Sequence, residues 1–129
     1  MAPPKNRRNS PAAWWWAWGP ACLWTVVIWY ASSLIIVSGM FPPIRHGDKL
    51  FHGGEFCVYG YFLCRGVVQR RWPVHWRAWV VVMIVALTAA LDEWHQAFVP
   101  TRTPDVLDAL TDLAGGVVGL MGFPKGPRV

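Results

Sequence analysis

Four apolar segments, each long enough to cross a bilayer, occupy most of this 129-residue chain. A membrane-spanning helix needs about 20 mainly apolar residues, because the hydrocarbon core is about 30 Å thick. The segments that meet this length are 19–40, 50–68, 76–95 and 104–123. The connections between them are short, so consecutive helices should lie side by side and antiparallel. The chain therefore predicts an all-α fold, a four-helix transmembrane bundle.

The composition agrees with this class of protein. Hydrophobic residues make up 54% of the chain and charged residues only 15%, whereas soluble domains carry about 25% charged residues. The ten tryptophans lie mainly near segment ends, where indole rings favour the lipid–water boundary. The basic start followed by an apolar run resembles a secretory signal, but the run from Trp14 to Met40 is too long for one. We expect a retained first helix.

The basic residues predict which side of the membrane each end faces, because cytoplasmic loops carry an excess of Lys and Arg. If both termini are cytoplasmic, nine of the twelve basic residues lie inside and three outside. The inner residues are Lys5, Arg7, Arg8, Arg65, Arg70, Arg71, Arg77, Lys125 and Arg128, and the outer ones are Arg45, Lys49 and Arg102. The predicted organisation is a basic cytoplasmic segment 1–18, a membrane domain 19–123 and a cytoplasmic tail 124–129. The scattered net charge of +5 then reflects topology and predicts no nucleic-acid partner.

All seven acidic residues fall near the predicted outer ends of the last three helices. At about 100° per residue, each of these helices presents one polar stripe, and Glu93 points about 100° away from the stripe of its own helix. The stripes are Asp48, His52, Glu55 and Tyr59; Thr88, Asp92, His95 and Gln96; and Asp105, Asp108 and Asp112. Thr103 is the predicted N-cap of the last helix, with Pro104 at its first position.

Asp112 is the deepest of these carboxyls, about 12 Å below the start of its helix at 1.5 Å per residue. An ionisable group at that depth faces the bundle interior and needs a partner. We expect Asp112 to pair with Arg102, Lys49 or a protonated His52, or else to be protonated itself. Small residues would let the helices approach one another, above all Gly115 and Gly119 in a GxxxG motif.

Three motifs at this level resemble the VanZ-like family of small bacterial membrane proteins. The motifs are DKLFHGGEF (48–56), DEWHQAFVPTR (92–102) and DVLDALTDLAGG (105–116). The matching positions are Asp48, Lys49, His52, Asp92, Glu93, Gln96, Arg102, Asp108 and Gly115. The resemblance covers residues 20–122, and the family usually has Asn at the position of Asp112. Its name comes from a member associated with resistance to the glycopeptide antibiotic teicoplanin, so the resemblance implies a cell-envelope protein that affects glycopeptide sensitivity.

The preferred interpretation is a multi-pass protein of the cell membrane with a polar pocket that opens to the outer face. Its partners would be membrane lipids, and the pocket would bind the head group of an envelope lipid or a glycopeptide. The predicted binding residues are Asp48, Lys49, His52, Glu55, Asp92, Glu93, Gln96, Arg102, Asp105, Asp108 and Asp112. The sequence assigns no cofactor, no catalytic residue and no oligomeric state.

Three other interpretations stay open. Pairs at helical spacing (His52/Glu55, Asp92/His95 and Asp108/Asp112) are typical of metal sites in helix bundles, which indicates a metal-dependent membrane hydrolase or transferase acting on a lipid-linked substrate. Without a metal, Asp112 or Glu55 could act as a general base. No serine nucleophile is predicted at this level, because Ser32 and Ser33 lie mid-span and Ser38, near the end of the first span, has no obvious base. In a structural protein, the buried charges would only hold the bundle together.

Overall fold

The computed structural model describes residues 10–34, 47–70 and 72–123. Within these ranges the chain forms four helices and no strand. The helices are α1 (Pro11–Ser33), α2 (Gly47–Val68), α3 (Val74–Gln96) and α4 (Val106–Gly122). The prediction of an all-α fold with four helices is confirmed. The predicted tail 124–129, the first nine residues, and Arg45 and His46 in the predicted outer loop lie outside the described residues.

The first helix differs most from its prediction, because α1 begins at Pro11, eight residues before the predicted start at 19. Ser10 caps the helix: its hydroxyl accepts the N–H of Ala13 at 3.2 Å, and proline at the first helical position is pre-set for a helix. The predicted boundary between residues 18 and 19 therefore falls inside one continuous helix. The same helix ends at Ser33, and the predicted remainder of the span, 35–40, lies outside the described residues.

The last helix begins at Val106, with Asp105 as its N-cap. The Asp105 carboxylate accepts the N–H of Leu107 at 2.8 Å, and a carboxylate at a helix N-terminus also interacts favourably with the helix dipole. The prediction of Thr103 as the cap is therefore wrong by two residues. Asp105, the first acidic residue of the motif, therefore caps the N-terminus of α4.

Helices α2 and α4 make the closest contact in the bundle. A Cβ added to Gly115 would collide with the carbonyl of Gly53, and one added to Gly119 would collide with the carbonyl of Cys57. The predicted role of the GxxxG pair is confirmed, since both glycines let the two backbones touch. Gly54, on another face of α2, has no atom within 4 Å of such a Cβ.

The two ends of the bundle have different interiors. Toward the starts of α1 and α3, the core is apolar and includes Leu63, Val67 and Val81. Toward the other end, the buried side chains are largely polar: Ser32, His52, Thr88, Asp92, Gln96, Asp108 and Asp112.

The outside of the bundle is apolar along its length. Trp79 is 61% exposed and Met83 62% exposed, and other large apolar side chains face outward on all four helices. Examples are Leu23, Val26, Tyr30, Phe51, Trp94, Leu110 and Met121. In a soluble protein, ionisable side chains lie mostly on the surface and large apolar ones mostly inside, so this arrangement is inverted.

Of the four described helices, only α3 is long and apolar enough by mean hydropathy to count as a candidate membrane span. A bundle that crosses the membrane four times, with both termini cytoplasmic, therefore stays a prediction.

Candidate functional site

Ionisable side chains from three helices meet at one end of the bundle, where α1 and α3 end and α2 and α4 begin. We call this group, together with the hydroxyl and amide groups from α1 and α3 that contact it, the polar cluster. Its members are Ser32, Lys49, His52, Glu55, Asp92, Glu93, Gln96, Asp105, Asp108 and Asp112. Because neighbouring helices run antiparallel, the last turns of two helices share a level with the first turns of the other two.

Asp112 and His52 form the most deeply buried pair of the polar cluster. Asp112 has 0% and His52 6% of its surface exposed. Nδ1 of His52 lies 3.1 Å from Oδ1 of Asp112. Of the three side chains that we expected to pair with Asp112, His52 is therefore the one in contact with it. The second carboxylate oxygen of Asp112, Oδ2, is buried and has no hydrogen-bond partner in the described part of the chain.

Asp92, only 1% exposed, is held from two sides. The amide of Gln96 donates to its Oδ2 at 2.8 Å, and the hydroxyl of Ser32 donates to its Oδ1. The prediction that Ser32 and Ser33 lie mid-span is wrong, because α1 starts and ends earlier than predicted and its last turn reaches the acidic residues. The signal for this shift was the Ser10-Pro11 pair, a helix-start signature.

Ser33 contacts His95, with 2.9 Å between its Oγ and Nε2 of the imidazole. The Ser33 hydroxyl also donates to the carbonyl of Trp29 at 2.6 Å. Since the single hydroxyl proton points at that carbonyl, the imidazole must be the donor in its own contact with Ser33. His95 is therefore not placed to remove a proton from Ser33, and it stacks against the Trp29 ring at a centroid distance of 4.9 Å.

Lys49 joins the starts of α2 and α4. Its amine lies 2.5 Å from Oδ1 of Asp108 and 2.9 Å from Oδ2 of Asp105. The hydrogen bond to Asp108, and then the one to Asp105, raise the pKa of the Lys49 amine. Asp48 is only a distant third partner at 3.9 Å, with an exposed side chain.

Glu93 belongs to the polar cluster although its helical phase predicted that it points aside. Its Oε2 accepts the backbone N–H of Asp105 at 2.6 Å. The loop 97–105 folds back over the end of α3 and brings this donor to Glu93, which the phase of a single helix cannot indicate. The other oxygen, Oε1, is buried and has no partner among the described residues.

Arg102, one of the three partners expected for Asp112, is placed elsewhere, and Glu55 stands apart from the paired carboxylates. Arg102 donates to the carbonyl of Ala31 at 3.2 Å, so it satisfies the C-terminal end of α1. Its Nε is buried without a partner, and it forms no ion pair with the described carboxylates. Glu55 is half-buried, and its carboxylate has no hydrogen-bond partner within 10–34, 47–70 and 72–123.

Four side chains of the polar cluster each bring one ligand-type atom into a common group. The atoms of His52, Asp92, Glu93 and Asp112 all lie within 4.8 Å of one another. The members of the group lie on α2, α3 and α4. None of the predicted pairs at i,i+3 or i,i+4 spacing contributes both of its residues to the group. Glu55, His95 and Asp108 lie outside it.

These features define a class, namely a small all-α protein with an apolar outside and an ionisable cluster buried at one end. The VanZ/LLP1 family model matches residues 11–125, nearly the whole chain. The chain belongs to this family, which confirms the resemblance that its motifs suggest. Comparisons with curated proteins and with solved structures found no match.

Proposed function

We propose that this protein is an integral membrane protein of the bacterial cell envelope that binds the polar head group of an envelope lipid or a glycopeptide at the polar cluster. The inverted distribution of polarity carries the proposal. Large apolar side chains such as Trp79 and Met83 face outward, while Asp92 and Asp112 are buried inside. A four-helix bundle surrounded by lipid gives the exposed apolar side chains an apolar environment and keeps the carboxylates in its interior. Helices can span the bilayer because their backbone hydrogen bonds are internal.

The distribution of basic residues supports an outward-facing polar cluster. The loop between α2 and α3 contains Arg70, and Arg65 and Arg77 lie in the helical turns that flank it. Positive charge at this end is typical of the cytoplasmic side. The polar cluster, at the opposite end of the bundle, then lies near the outer face and is accessible to envelope lipids.

The charges of the polar cluster favour a ligand that donates hydrogen bonds. Lys49 is engaged by Asp105 and Asp108, and Arg102 by a backbone carbonyl. The carboxylate of Glu55 has no hydrogen-bond partner among the described residues, so it can accept hydrogen bonds from a ligand. Charge-assisted hydrogen bonds from ammonium groups are among the strongest. A head group that bears an ammonium group, or a glycopeptide that presents the same donor, fits this surface. We propose that such binding lowers the sensitivity of the cell to teicoplanin-type glycopeptides.

The test compares lipids that differ only in the head group. Purified protein in nanodiscs of phosphatidylcholine is offered phosphatidylethanolamine or phosphatidylglycerol, and retained lipid is measured by native mass spectrometry. We expect preferential retention of the ethanolamine lipid and about tenfold weaker retention in Glu55→Gln, the loss of one charge-assisted hydrogen bond. Arg70→Gln, which removes one charge of the opposite sign at the other end of the bundle, should retain the lipid like the wild type.

Equal retention of both lipids, or equal retention by wild type and Glu55→Gln, contradicts the proposal. The cellular arm measures teicoplanin sensitivity in cells that express the wild type, Glu55→Gln or Asp108→Asn. We expect both variants to reach the membrane in normal amounts and to lose the protective effect. Protection that is unchanged in both variants would contradict a role of the polar cluster.

A further inference from the structure

The polar cluster contains two buried carboxylate oxygens that lack a hydrogen-bond donor in the described part of the chain. They are Oδ2 of Asp112 and Oε1 of Glu93. A buried acceptor without a partner costs about 1–3 kcal/mol, more when it is charged. Buried polar atoms are nearly always paired in native proteins, so each exception needs an explanation such as an ion. The two oxygens belong to Glu93 on α3 and Asp112 on α4, two residues that each bring a ligand-type atom within 4.8 Å of the other.

We propose that His52, Asp92, Glu93 and Asp112 form a site for one divalent transition-metal ion, of which Zn²⁺ and Mn²⁺ are the best candidates. One ligand-type atom of each side chain lies within 4.8 Å of those of the other three. At metal–ligand distances of about 2.0–2.2 Å, two ligands of one ion stand about 3.4 Å apart in a tetrahedral site and about 4.2 Å apart when they are opposite in an octahedral one. The most distant pair of the four atoms therefore has to close by at most about 1.4 Å to enclose a tetrahedral ion, which side-chain rotation can supply.

The donor set favours this class of ion. Imidazole suits zinc, iron and copper, while carboxylates suit manganese as well as magnesium and calcium. One imidazole nitrogen beside three carboxylate oxygens therefore favours Zn²⁺ or Mn²⁺ over Mg²⁺. A bundle core lined by carboxylates and histidine from several helices is a layout that holds metal ions in other helical proteins.

The surrounding hydrogen bonds would hold the ligands in place. Gln96 and Ser32 both donate to Asp92, and the backbone N–H of Asp105 donates to Glu93. Such outer contacts orient metal ligands and commonly tune metal affinity 10–100-fold. Each carboxylate oxygen that accepts one of these bonds keeps a second lone pair for an ion.

The charge balance also favours a cation in this position. With His52 neutral, the three carboxylates bring a formal charge of −3 into a buried site, and a divalent ion reduces it to −1. The nearest lysine, Lys49, is held by Asp105 and Asp108 instead. Buried charges are expected to be paired or to coordinate metals, because an isolated ion is costly to desolvate.

The proposal is tested by metal binding without any candidate head group. Tag-free protein in phosphatidylcholine nanodiscs is stripped with a chelator and dialysed against micromolar Zn²⁺, Mn²⁺ or Mg²⁺, and bound metal is measured by mass spectrometry. We expect one equivalent of Zn²⁺ or Mn²⁺ per chain, little Mg²⁺, and a rise of the unfolding midpoint with metal concentration. Because no ligand lipid is present, this result does not depend on the proposed head-group binding.

Two variants and a control locate the ion. Asp112→Asn keeps a side-chain oxygen that accepts from His52, so it should fold; we expect at least tenfold weaker Zn²⁺ binding in it and in Glu93→Gln. Asp48→Asn removes the same charge from an exposed side chain and should bind Zn²⁺ like the wild type. No bound metal in the wild type, or equal binding in Asp112→Asn, Glu93→Gln and the wild type, would overturn the proposal.

Discussion

At the scale of single residues, the cost of burying a carboxylate explains the contacts of the polar cluster. Asp112 has no exposed surface and meets His52, while Asp92 takes two donors from two helices. Each contact replaces hydrogen bonds to water that are lost on burial. The residues of the polar cluster are therefore energetically coupled, and a change at one of them alters the environment of its neighbours.

The first prediction concerns the Asp112–His52 contact. Asp112→Leu leaves the buried His52 nitrogen without a partner, and we expect a loss of about 1–3 kcal/mol of stability. Asp112→Asn retains an acceptor of the same shape and should lose less than about 1 kcal/mol. Unfolding midpoints of metal-free protein in one detergent measure both values. Equal midpoints for Asp112→Leu and the wild type would show that the contact does not stabilise the bundle.

Head-group binding by Asp112→Asn tests separately whether the negative charge of Asp112 is required for function. The family resemblance implies Asn as the usual residue at this position, so we expect the variant to retain the ethanolamine lipid. Loss of that binding with folding intact would mean that the negative charge itself is required.

The second prediction concerns Lys49, which lies between Asp105 and Asp108. Lys49→Met leaves the two carboxylates facing one another without a cation, and we expect a lower unfolding midpoint in detergent than that of the wild type, with a size limited by exposure to water. Lys49→Arg should retain most of the stability. Asp48→Asn is the control, since its 3.9 Å contact with Lys49 is on an exposed side chain and its loss should leave the unfolding midpoint unchanged. If Lys49→Met is no less stable than Asp48→Asn, Lys49 does not link the helices.

At the scale of helices, backbone contact between α2 and α4 sets the geometry of the polar cluster. Gly115 lies against the carbonyl of Gly53, one residue from His52, and Asp112 lies one turn before Gly115. The close approach of the two helices therefore brings His52 and Asp112 within hydrogen-bond distance of one another. A larger residue at this interface would separate Asp112 from its partner.

The third prediction tests this interface with two glycine variants. In Gly119→Ala the added Cβ meets backbone atoms of Cys57 and Tyr61, which cannot move without shifting a helix, and we expect a loss of about 1–3 kcal/mol. In Gly54→Ala the Cβ meets nothing within 4 Å, and alanine is the better helix former by about 1 kcal/mol. Unfolding midpoints should rank Gly54→Ala at or above the wild type and Gly119→Ala below it. The reverse order would contradict the described contact.

At the scale of the whole molecule, an apolar outside and a buried polar end determine how the bundle could sit in a bilayer. The polar end would lie toward one interface, and the arginine-rich turn between α2 and α3 toward the other. Trp76 and Trp79, exposed near the arginine-rich end, are residues that favour an interface. The direction of the bundle then follows from charge.

The fourth prediction concerns that direction. In a background in which Cys22, Cys57 and Cys64 are alanine, single cysteines replace two exposed residues, Thr103 before α4 and Gln69 after α2. We expect Thr103→Cys to react with a membrane-impermeant maleimide on intact spheroplasts and Gln69→Cys to react only after permeabilisation. The opposite labelling would place the polar cluster on the cytoplasmic side and contradict the proposed access of envelope lipids.

Local properties of the sequence determined the number of helices, their approximate bounds and the level of the acidic residues. Apolar runs, prolines and glycines act within a few residues, so α2 and α3 begin and end close to the predicted positions. The motifs that identify the family are also local, because each lies within a short segment of the sequence. The error in α1 also has a local cause, since the Ser10-Pro11 cap outweighs the apolar pattern as the start of the helix.

Only the tertiary structure decided which of the polar residues meet. Helical phase gives the direction of a side chain from its own axis, but a partner depends on the axial shift and rotation of the neighbouring helix. The glycine contact at Gly115 sets that shift for α2 and α4, so His52 reaches Asp112 while Lys49 reaches Asp105 and Asp108. Glu93 belongs to the polar cluster because it accepts a backbone N–H from the loop before α4. Arg102 donates to a backbone carbonyl at the end of α1 instead of to a carboxylate. These distances arise from the packing of whole helices, and no single segment of the sequence specifies them.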